Sequence, residues 1–160
     1  MPPNLPWDQA DLVIKHPRAQ WARWGVTQAS GAPLQADNLP AALILPSGRF
    51  GPAFLAFKNF DAFLEWNQSL VYATTAAYLA TRLTGAPQVQ RGSAPAPILS
   101  GQQLLELQRL LARHGFEVGK IDGKLGLATR KGVKQAQLKL GLPADSYPTA
   151  ELIARLRGGQ

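Results

Sequence analysis

The spacing of apolar residues changes period along the chain, and the changes mark its elements. Leu43, Ile44 and Leu45 form a short continuous apolar run; Pro46, Ser47, Gly48 and Arg49 follow as a turn, and Pro52 to Phe57 returns. Two short runs on either side of a Pro-Ser-Gly turn predict a small β-hairpin. From Asp61 the period becomes helical and predicts a buried set of Phe63, Leu64, Val71, Ala76, Leu79, Ala80 and Leu83, with a helix over Ser69–Leu83 that Gly85 ends. Upstream, Pro17 suits the first turn of a helix, where its missing N–H costs nothing. That helix runs from Arg18 to Trp24 and stops at Gly25. Trp21 and Trp24 lie three residues apart on one face of it and read as core packing. Trp7 to Ile14 reads either as a short helix or as an extended lead-in, and residues 27–41 read as a loop.

Gly85 to Pro97 has no periodicity, three prolines and two glycines. Such a stretch is a semi-extended linker. It divides the chain into a first unit at 1–85, a linker at 86–98 and a second unit at 99–158. The second unit opens on a capping box, Ser100 with Gln103 three residues later. Leu104, Leu107, Leu110 and Leu111 form the apolar face of the helix that follows, and Gly115 stops it. Between Gly115 and Gly126 lie four glycines in twelve residues, one of them in the pair Asp122-Gly123. That composition predicts a compact loop with several positive-φ positions. A second helix, about Ala128 to Leu140, buries Val133, Ala136, Gln137 and Leu140. It turns Arg130, Lys131, Lys134 and Lys139 largely away from that core. A short last helix runs from Thr149 to Leu156.

Charge changes this picture only for the second unit. Residues 1–95 carry 7 basic and 5 acidic groups, and residues 96–160 carry 10 and 5. A basic C-terminal half suits an anionic partner such as nucleic acid, a membrane surface or an acidic wall polymer. A nucleic-acid reading rests on the Arg130, Lys131, Lys134 and Lys139 face. Against it, the Gly-rich loop lacks a phosphate-binding Gly-Lys-Ser/Thr motif and no aromatic interleaves the lysines. There is no cysteine, hence no disulfide and no thiolate chemistry. His16 and His114 have no carboxylate cluster beside them, so neither a metal nor any other cofactor is expected. No apolar run reaches the roughly 18 residues of a membrane span. Met1 to Trp7 lacks the basic and apolar regions of a signal peptide.

Candidate chemistry concentrates in Phe54–Tyr72. This stretch holds four of the six phenylalanines and ends in Trp66-Asn67-Gln68-Ser69-Leu70-Val71-Tyr72. An amide and a hydroxyl between aromatic rings are what a sugar needs: a flat face to lie on and a few fixed donors and acceptors.

Residues 100–156 resemble the peptidoglycan-binding domain found at the end of many cell-wall hydrolases. The matching positions are Leu107-Gln108, Gly115-Phe116, Gly119, Asp122-Gly123, Gly126, Thr129-Arg130, Gln137, Gly141-Leu142 and Asp145. Two positions depart from that family. Ala136 stands where an aromatic is usual, which leaves core volume to be filled otherwise. Ser146 stands where glycine is usual, and must accept glycine's backbone angle.

The first unit resembles the C-terminal part of the catalytic domain of the lytic murein transglycosylase B family. The match runs through Trp21 to Val26, Leu45 to Gly48, Gly51 to Leu55, Asn59-Phe60, Trp66-Asn67, Ser69, Tyr72-Ala73, Leu79-Ala80, Leu83 and Gly85. The resemblance implies a mainly α chain: a lysozyme-like α-domain remnant with a small β-hairpin, then a three-helix peptidoglycan-binding module. It also implies glycan strands and peptide stems as partners and a periplasmic or envelope location. Trp66 and Tyr72 would give ring contacts to sugars, Asn67 would hydrogen-bond the substrate, and Ser69 would support the backbone.

That family cleaves the link between N-acetylmuramic acid and N-acetylglucosamine with one glutamate, leaving a 1,6-anhydro end. The acid must sit in an apolar pocket to stay protonated near neutral pH, and the family carries it upstream in a Glu-Ser motif. Here Glu65, Glu106, Glu117 and Glu151 are the four glutamates, and none precedes a serine. Glu65 adjoins the candidate cleft but reads as a surface carboxylate. The expectation is therefore a C-terminal portion of a transglycosylase, beginning at an internal methionine or after a disrupted reading frame, that binds murein without cleaving it alone. A split enzyme, active with an N-terminal partner that carries the glutamate, is the alternative.

Overall fold

The computed structural model describes residues 1–2, 4–95 and 98–159. Strand β2 (Pro40–Ile44) is the axis of the first unit. It pairs antiparallel with β1 (His16–Pro17), His16 opposite Ala41, and with β3 (Phe54–Ala56), Ile44 opposite Phe54. Side chains alternate across a strand, so one short run can serve two cores. Ala41, Leu43 and Leu45 pack around Trp21 with Leu5, Ala10 and Val26. Ala42 and Ile44 turn the other way, onto Ala56, Phe60, Leu70 and Ala73. A strand covered on both faces reads as a continuous apolar run rather than an alternating one, as this one does.

The expected hairpin is thus two strands of a three-stranded sheet. Pro17, expected inside a helix, instead pairs with Pro40. Proline has no N–H to give a ladder and is tolerated at such an edge. Helix α1 (Arg18–Arg23) follows and ends at Gly25, whose φ is +82°. The tryptophan pair is core: Trp21 is fully buried, its Nε1 donates to the Ala41 carbonyl at 2.8 Å, and its ring meets Trp24 edge-on at 5.1 Å. Trp7–Gln9 forms a single 3-10 turn.

The helix expected over Ser69–Leu83 is α3 (Leu70–Leu83), with Ser69 as its N-cap, and the helical spacing from Asp61 gives a separate helix, α2 (Phe60–Trp66). Phe63 and Leu64 of the predicted buried set pack against the first unit's core, but on α3 the set is rotated. α3 buries Leu70, Ala73 and Thr74, with Ala77 packed against the same cluster. These fall at i, i+3, i+4 and i+7, one face of a helix. Val71, Leu79 and Leu83 point outward, Leu83 being 82% exposed. Leu70 and the small residues of that face meet α2 and the cluster of Ala42, Ile44 and Ala56, and Val71, Leu79 and Leu83 are left on the far side.

Residues 86–95 of the expected linker carry no helix or strand. Val89 N donates to Tyr78 Oη at 2.7 Å, which ties the segment's start to α3. Ala96 and Pro97 lie outside the described residues.

The second unit follows its sequence closely. Helices α4 (Gly101–Arg113), α5 (Leu127–Lys139) and α6 (Ala150–Arg157) enclose one core of Leu107, Leu111, Val118, Val133, Ala136, Leu152, Ile153 and Leu156. The capping box is complete: Ser100 Oγ accepts from Gln103 N at 3.2 Å, and Gln103 Oε1 accepts from Ser100 N at 2.8 Å. Thr149 caps α6 in the same manner, through Leu152 N. Ser146 adopts φ +62°, the left-handed angle expected of a glycine substitute, and no other described non-glycine residue has a positive φ.

Candidate functional site

Trp66, Asn67, Ser69 and Tyr72 form the turn that joins α2 to α3. Asn67 leaves the helix with φ −149°, and its Oδ1 accepts from Ser69 N at 2.9 Å. Ser69 is the N-cap of α3, and its Oγ accepts from Tyr72 N at 3.3 Å. Two side-chain acceptors thus hold the backbone donors of Ser69 and Tyr72, which fixes the turn without burying it. The rings on either side stand in solvent: Trp66 is 83% exposed and Tyr72 48%. Asn67 Nδ2 has no acceptor among the described residues and remains free to bond a ligand.

The motif positions of the second unit build a loop around one amide. Gln108 is fully buried in α4. Its Nε2 donates to the carbonyls of Lys120 and Lys124, both at 3.1 Å, and to Thr129 Oγ1 at 3.0 Å. Its Oε1 accepts from Asp122 N at 3.1 Å and Gly123 N at 2.8 Å. Thr129 Oγ1 donates onward to the Val118 carbonyl at 3.2 Å. Gly119 and Gly123 both have positive φ, and a Cβ on Gly123 would stand 2.8 Å from the Gly101 carbonyl oxygen. Asp122 Oδ1 closes the tip by accepting from Lys124 N at 3.0 Å. Gly126 is the N-cap of α5, and Phe116 packs against the core with Lys139 Nζ 5.6 Å from its ring.

A second glutamine repeats the device. Gln137 Nε2 donates to Asp145 Oδ1 at 2.9 Å and to the Tyr147 carbonyl at 3.1 Å, and Gln137 Oε1 accepts from Ser146 N at 3.0 Å. Sequence reasoning placed Gln137 in the core but missed both glutamines as loop anchors. The available signal was a long polar side chain inside an apolar stripe, Gln108 between Leu104 and Leu111. A buried amide keeps its place only by bonding its whole fork.

The expected outward basic face of α5 is corrected by the packing of the two units. Arg130 is 4% exposed and Lys134 is 7% exposed. Arg130 Nη2 donates to the Pro46 carbonyl at 2.6 Å, at the start of the hairpin turn. Lys134 Nζ reaches Asp11 Oδ2 at 2.5 Å. Asp145, held by Gln137, accepts from Arg49 N at 3.0 Å. Leu127, at the start of α5, packs against the α2–α3 cluster of the first unit. Two of the four cations on that helix are therefore spent within the molecule. Burial pushes the Arg130 guanidinium down to about 10, partly offset by Tyr147 and Asp145 beside it. Burial likewise raises the Tyr147 phenol.

None of the four glutamates occupies an apolar pocket. Glu65, Glu117 and Glu151 are exposed, and Glu106 lies in a bidentate pair with Arg157, at 2.6 and 2.8 Å, which lowers its carboxyl. His16 bonds Gln9 Oε1 at 2.9 Å and packs edge-on to Trp21 and Trp24, while His114 bonds the Leu156 carbonyl. Among the described residues no three His, Asp or Glu side chains gather as a metal site would require, and no helix is long and apolar enough to cross a membrane.

The family described as Transglycosylase SLT domain matches residues 1–81, just over half of the chain. The chain belongs to that family. The peptidoglycan binding domain family matches residues 100–156, the whole three-helix unit. Among solved structures, SltB3 from Pseudomonas aeruginosa is similar over 98% of this chain and 43% of its own, with 39% identity and a TM-score of 0.78. It was solved in complex with NAG-anhNAM-pentapeptide and with NAG-NAM-pentapeptide. The spore cortex-lytic enzyme of Bacillus cereus is 38% identical over 63 residues, 39% of this chain and 22% of that protein. The SLT chain thus spans less than half the length of SltB3. Its fold is the mainly helical, lysozyme-like SLT fold with a small sheet, joined to a peptidoglycan-binding domain.

Proposed function

We propose that the chain recognises murein, its second unit binding peptidoglycan and its first unit forming one wall of a glycan cleft. The observation that carries the cleft is the 66–72 turn, where two exposed rings and a free amide are held by two internal caps. Ring faces suit sugars, and a free amide between two such faces supplies the polar contact a sugar also needs. The molecules bound in the SltB3 structures, NAG-anhNAM-pentapeptide and NAG-NAM-pentapeptide, support glycan with attached stems as the partner. The place of action on this reading is the cell envelope, the periplasm where an outer membrane exists.

Cleavage needs a glutamate kept neutral by an apolar pocket, and none of the four here has one. On this reading the chain by itself binds murein and releases no anhydro-muropeptide. Two assays test the proposal. Sedimentation with purified sacculi should carry the protein down, and analysis of the supernatant should find no anhydro product. Binding to stem-free glycan strands should weaken in Trp66→Ala and in Asn67→Ala, while sacculus binding through residues 100–156 survives both. Unchanged glycan-strand binding in both variants would sink the cleft assignment.

A second reading is favoured by the outward stripe of Val71, Leu79 and Leu83 on α3. A catalytic partner covering that stripe would supply the glutamate and restore lytic activity. Co-expression with a glutamate-bearing N-terminal half, followed by muropeptide analysis, separates the two. The nucleic-acid reading loses its main support, since Arg130 and Lys134 bond within the chain.

A further inference from the structure

Two aspartates of the second unit stand at chemically fragile positions. The chain has six aspartates, and only Asp122 and Asp145 precede a glycine or a serine, as Asp122-Gly123 and Asp145-Ser146. A small residue after aspartate leaves its backbone nitrogen free to attack the carboxyl carbon. The nitrogen gives up its proton and bonds to Cγ, a side-chain oxygen leaves as water, and a succinimide ring forms. Water then opens the ring on its main-chain carbonyl side. The product is isoaspartate, with Cβ and Cγ now part of the backbone. One water leaves and one returns, and no oxidant is needed.

The loops require these pairs. Gly123 has φ +72°, and a Cβ there would stand 2.8 Å from the Gly101 carbonyl oxygen, so the tip needs glycine. Ser146 holds φ +62°, where a bulky residue would be strained. Each attacking nitrogen is held by a buried glutamine. Gly123 N donates to Gln108 Oε1 at 2.8 Å, and Ser146 N donates to Gln137 Oε1 at 3.0 Å. Gln108 is fully buried and Gln137 is 3% exposed. The carboxyls are pinned too. Asp122 Oδ1 accepts from Lys124 N at 3.0 Å. Asp145 Oδ1 accepts from Gln137 Nε2 and Tyr147 N, and its Oδ2 accepts from Arg49 N. Ring closure consumes the N–H and turns the carboxyl onto the nitrogen, so it costs these bonds. The reaction must wait until the loop opens.

We propose that Asp122 and Asp145 are latent sites of isoaspartate formation, and that Gln108 and Gln137 guard them by holding the attacking nitrogens. The two glutamines thus have a chemical role beside their structural one, and this role is independent of the murein reading. Asp122 is the weaker point. It is exposed, its carboxyl is held by one backbone donor, and its neighbour is glycine. Asp145 is 5% exposed and held by three donors. Once isomerised, a loop cannot close again, because the longer backbone no longer matches the fork of its glutamine.

The test ages the full chain at body temperature and neutral pH. Isoaspartate is counted by isoaspartate-specific methylation and by the retention of the tryptic peptides that carry Asp122 and Asp145. The native chain should isomerise at Asp122 at least about tenfold more slowly than a free peptide of residues 118–126. Ser146→Gly, which makes the second pair Asp-Gly as well, should leave Asp145 slow. Gln108→Leu should speed Asp122 at least about tenfold and leave Asp145 slow, and Gln137→Leu should do the converse. That crossed pattern separates a local guard from general unfolding, which would speed both sites together. Acceleration of both sites in either variant overturns the proposal, and so does native Asp122 reacting as fast as the free peptide. Should a glutamine variant fail to fold, the native chain still decides. The Gly123 amide should be protected from hydrogen exchange, and isomerisation at Asp122 should rise in step with its exchange as urea is added. An unprotected Gly123 amide, or isomerisation that stays flat while its exchange rises, overturns the proposal.

Discussion

The two units bury their apolar residues in different ways. The second closes on itself: three helices share one core, and two buried glutamines clamp its two loops. The first unit is a thin sheet with a cluster on each face, and α3 covers one of them with small residues while Leu79 and Leu83 face water. The second unit therefore holds its shape through internal bonds, and the first presents surface. That division suits a molecule in which one part anchors and the other offers a wall to a ligand or partner. The units are nonetheless joined, through Arg130 on the Pro46 carbonyl and Lys134 on Asp11.

The comparison can be broken most severely at Gln108. Gln108→Leu removes five bonds and leaves buried backbone groups unpaired, so urea denaturation should show the second unit losing about 3 kcal/mol. A loss below about 1 kcal/mol would mean that the loop stands without its anchor. Arg130→Met should cost about 1–2 kcal/mol and separate the units. Thermal unfolding followed by tryptophan fluorescence, which reports only the first unit's Trp7, Trp21, Trp24 and Trp66, should then diverge from far-UV circular dichroism. Coincident transitions in the variant would show that the Arg130 contact does not couple them.

Smaller effects sharpen the picture. Ser146→Gly should stabilise the second unit by about 0.5 kcal/mol, since glycine takes φ +62° without penalty. A measured loss of stability would show that the hydroxyl matters more than the angle. The smallest effect is electrostatic. Arg157 lowers the Glu106 carboxyl below its ordinary 4.5, so the unfolded chain binds the proton more readily. The pair's contribution is then present above about pH 4.5 and is lost as pH falls through the lowered folded value. Denaturation midpoints of the native chain and Glu106→Gln should differ slightly at pH 7 and converge under acid. A difference that persists at low pH would rule out the ion pair as its source.

Much of the second unit could be read from residue order. Ser100 with Gln103, the leucine spacing of α4 and the glycines of the loop are local signals, and each acts within a few residues of itself. Ser146 was legible for the same reason, because a turn's backbone angle is a local demand. The candidate turn at 66–72 was visible as composition, but its two caps were not. Whether Asn67 Oδ1 meets a ligand or Ser69 N depends on a backbone angle that composition does not set.

What the tertiary structure decided is which surfaces meet. Apolar spacing alone gave α3 the wrong inner face, because which side of a helix is covered depends on the neighbours it meets. Here α2 and the sheet's cluster meet Leu70, Ala73, Thr74 and Ala77, and Val71, Leu79 and Leu83 stay outside. Charge alone placed Arg130 and Lys134 in solvent, because a lone helix offers long cations no acceptor. The hairpin turn supplied carbonyls and Asp11 supplied a carboxylate, from residues more than eighty positions away. Hydrogen-bond partners at that separation are fixed only when the chain folds back. The sequence by itself thus determined the second unit's helices, its capping box and the family. The docking of the two units came from packing.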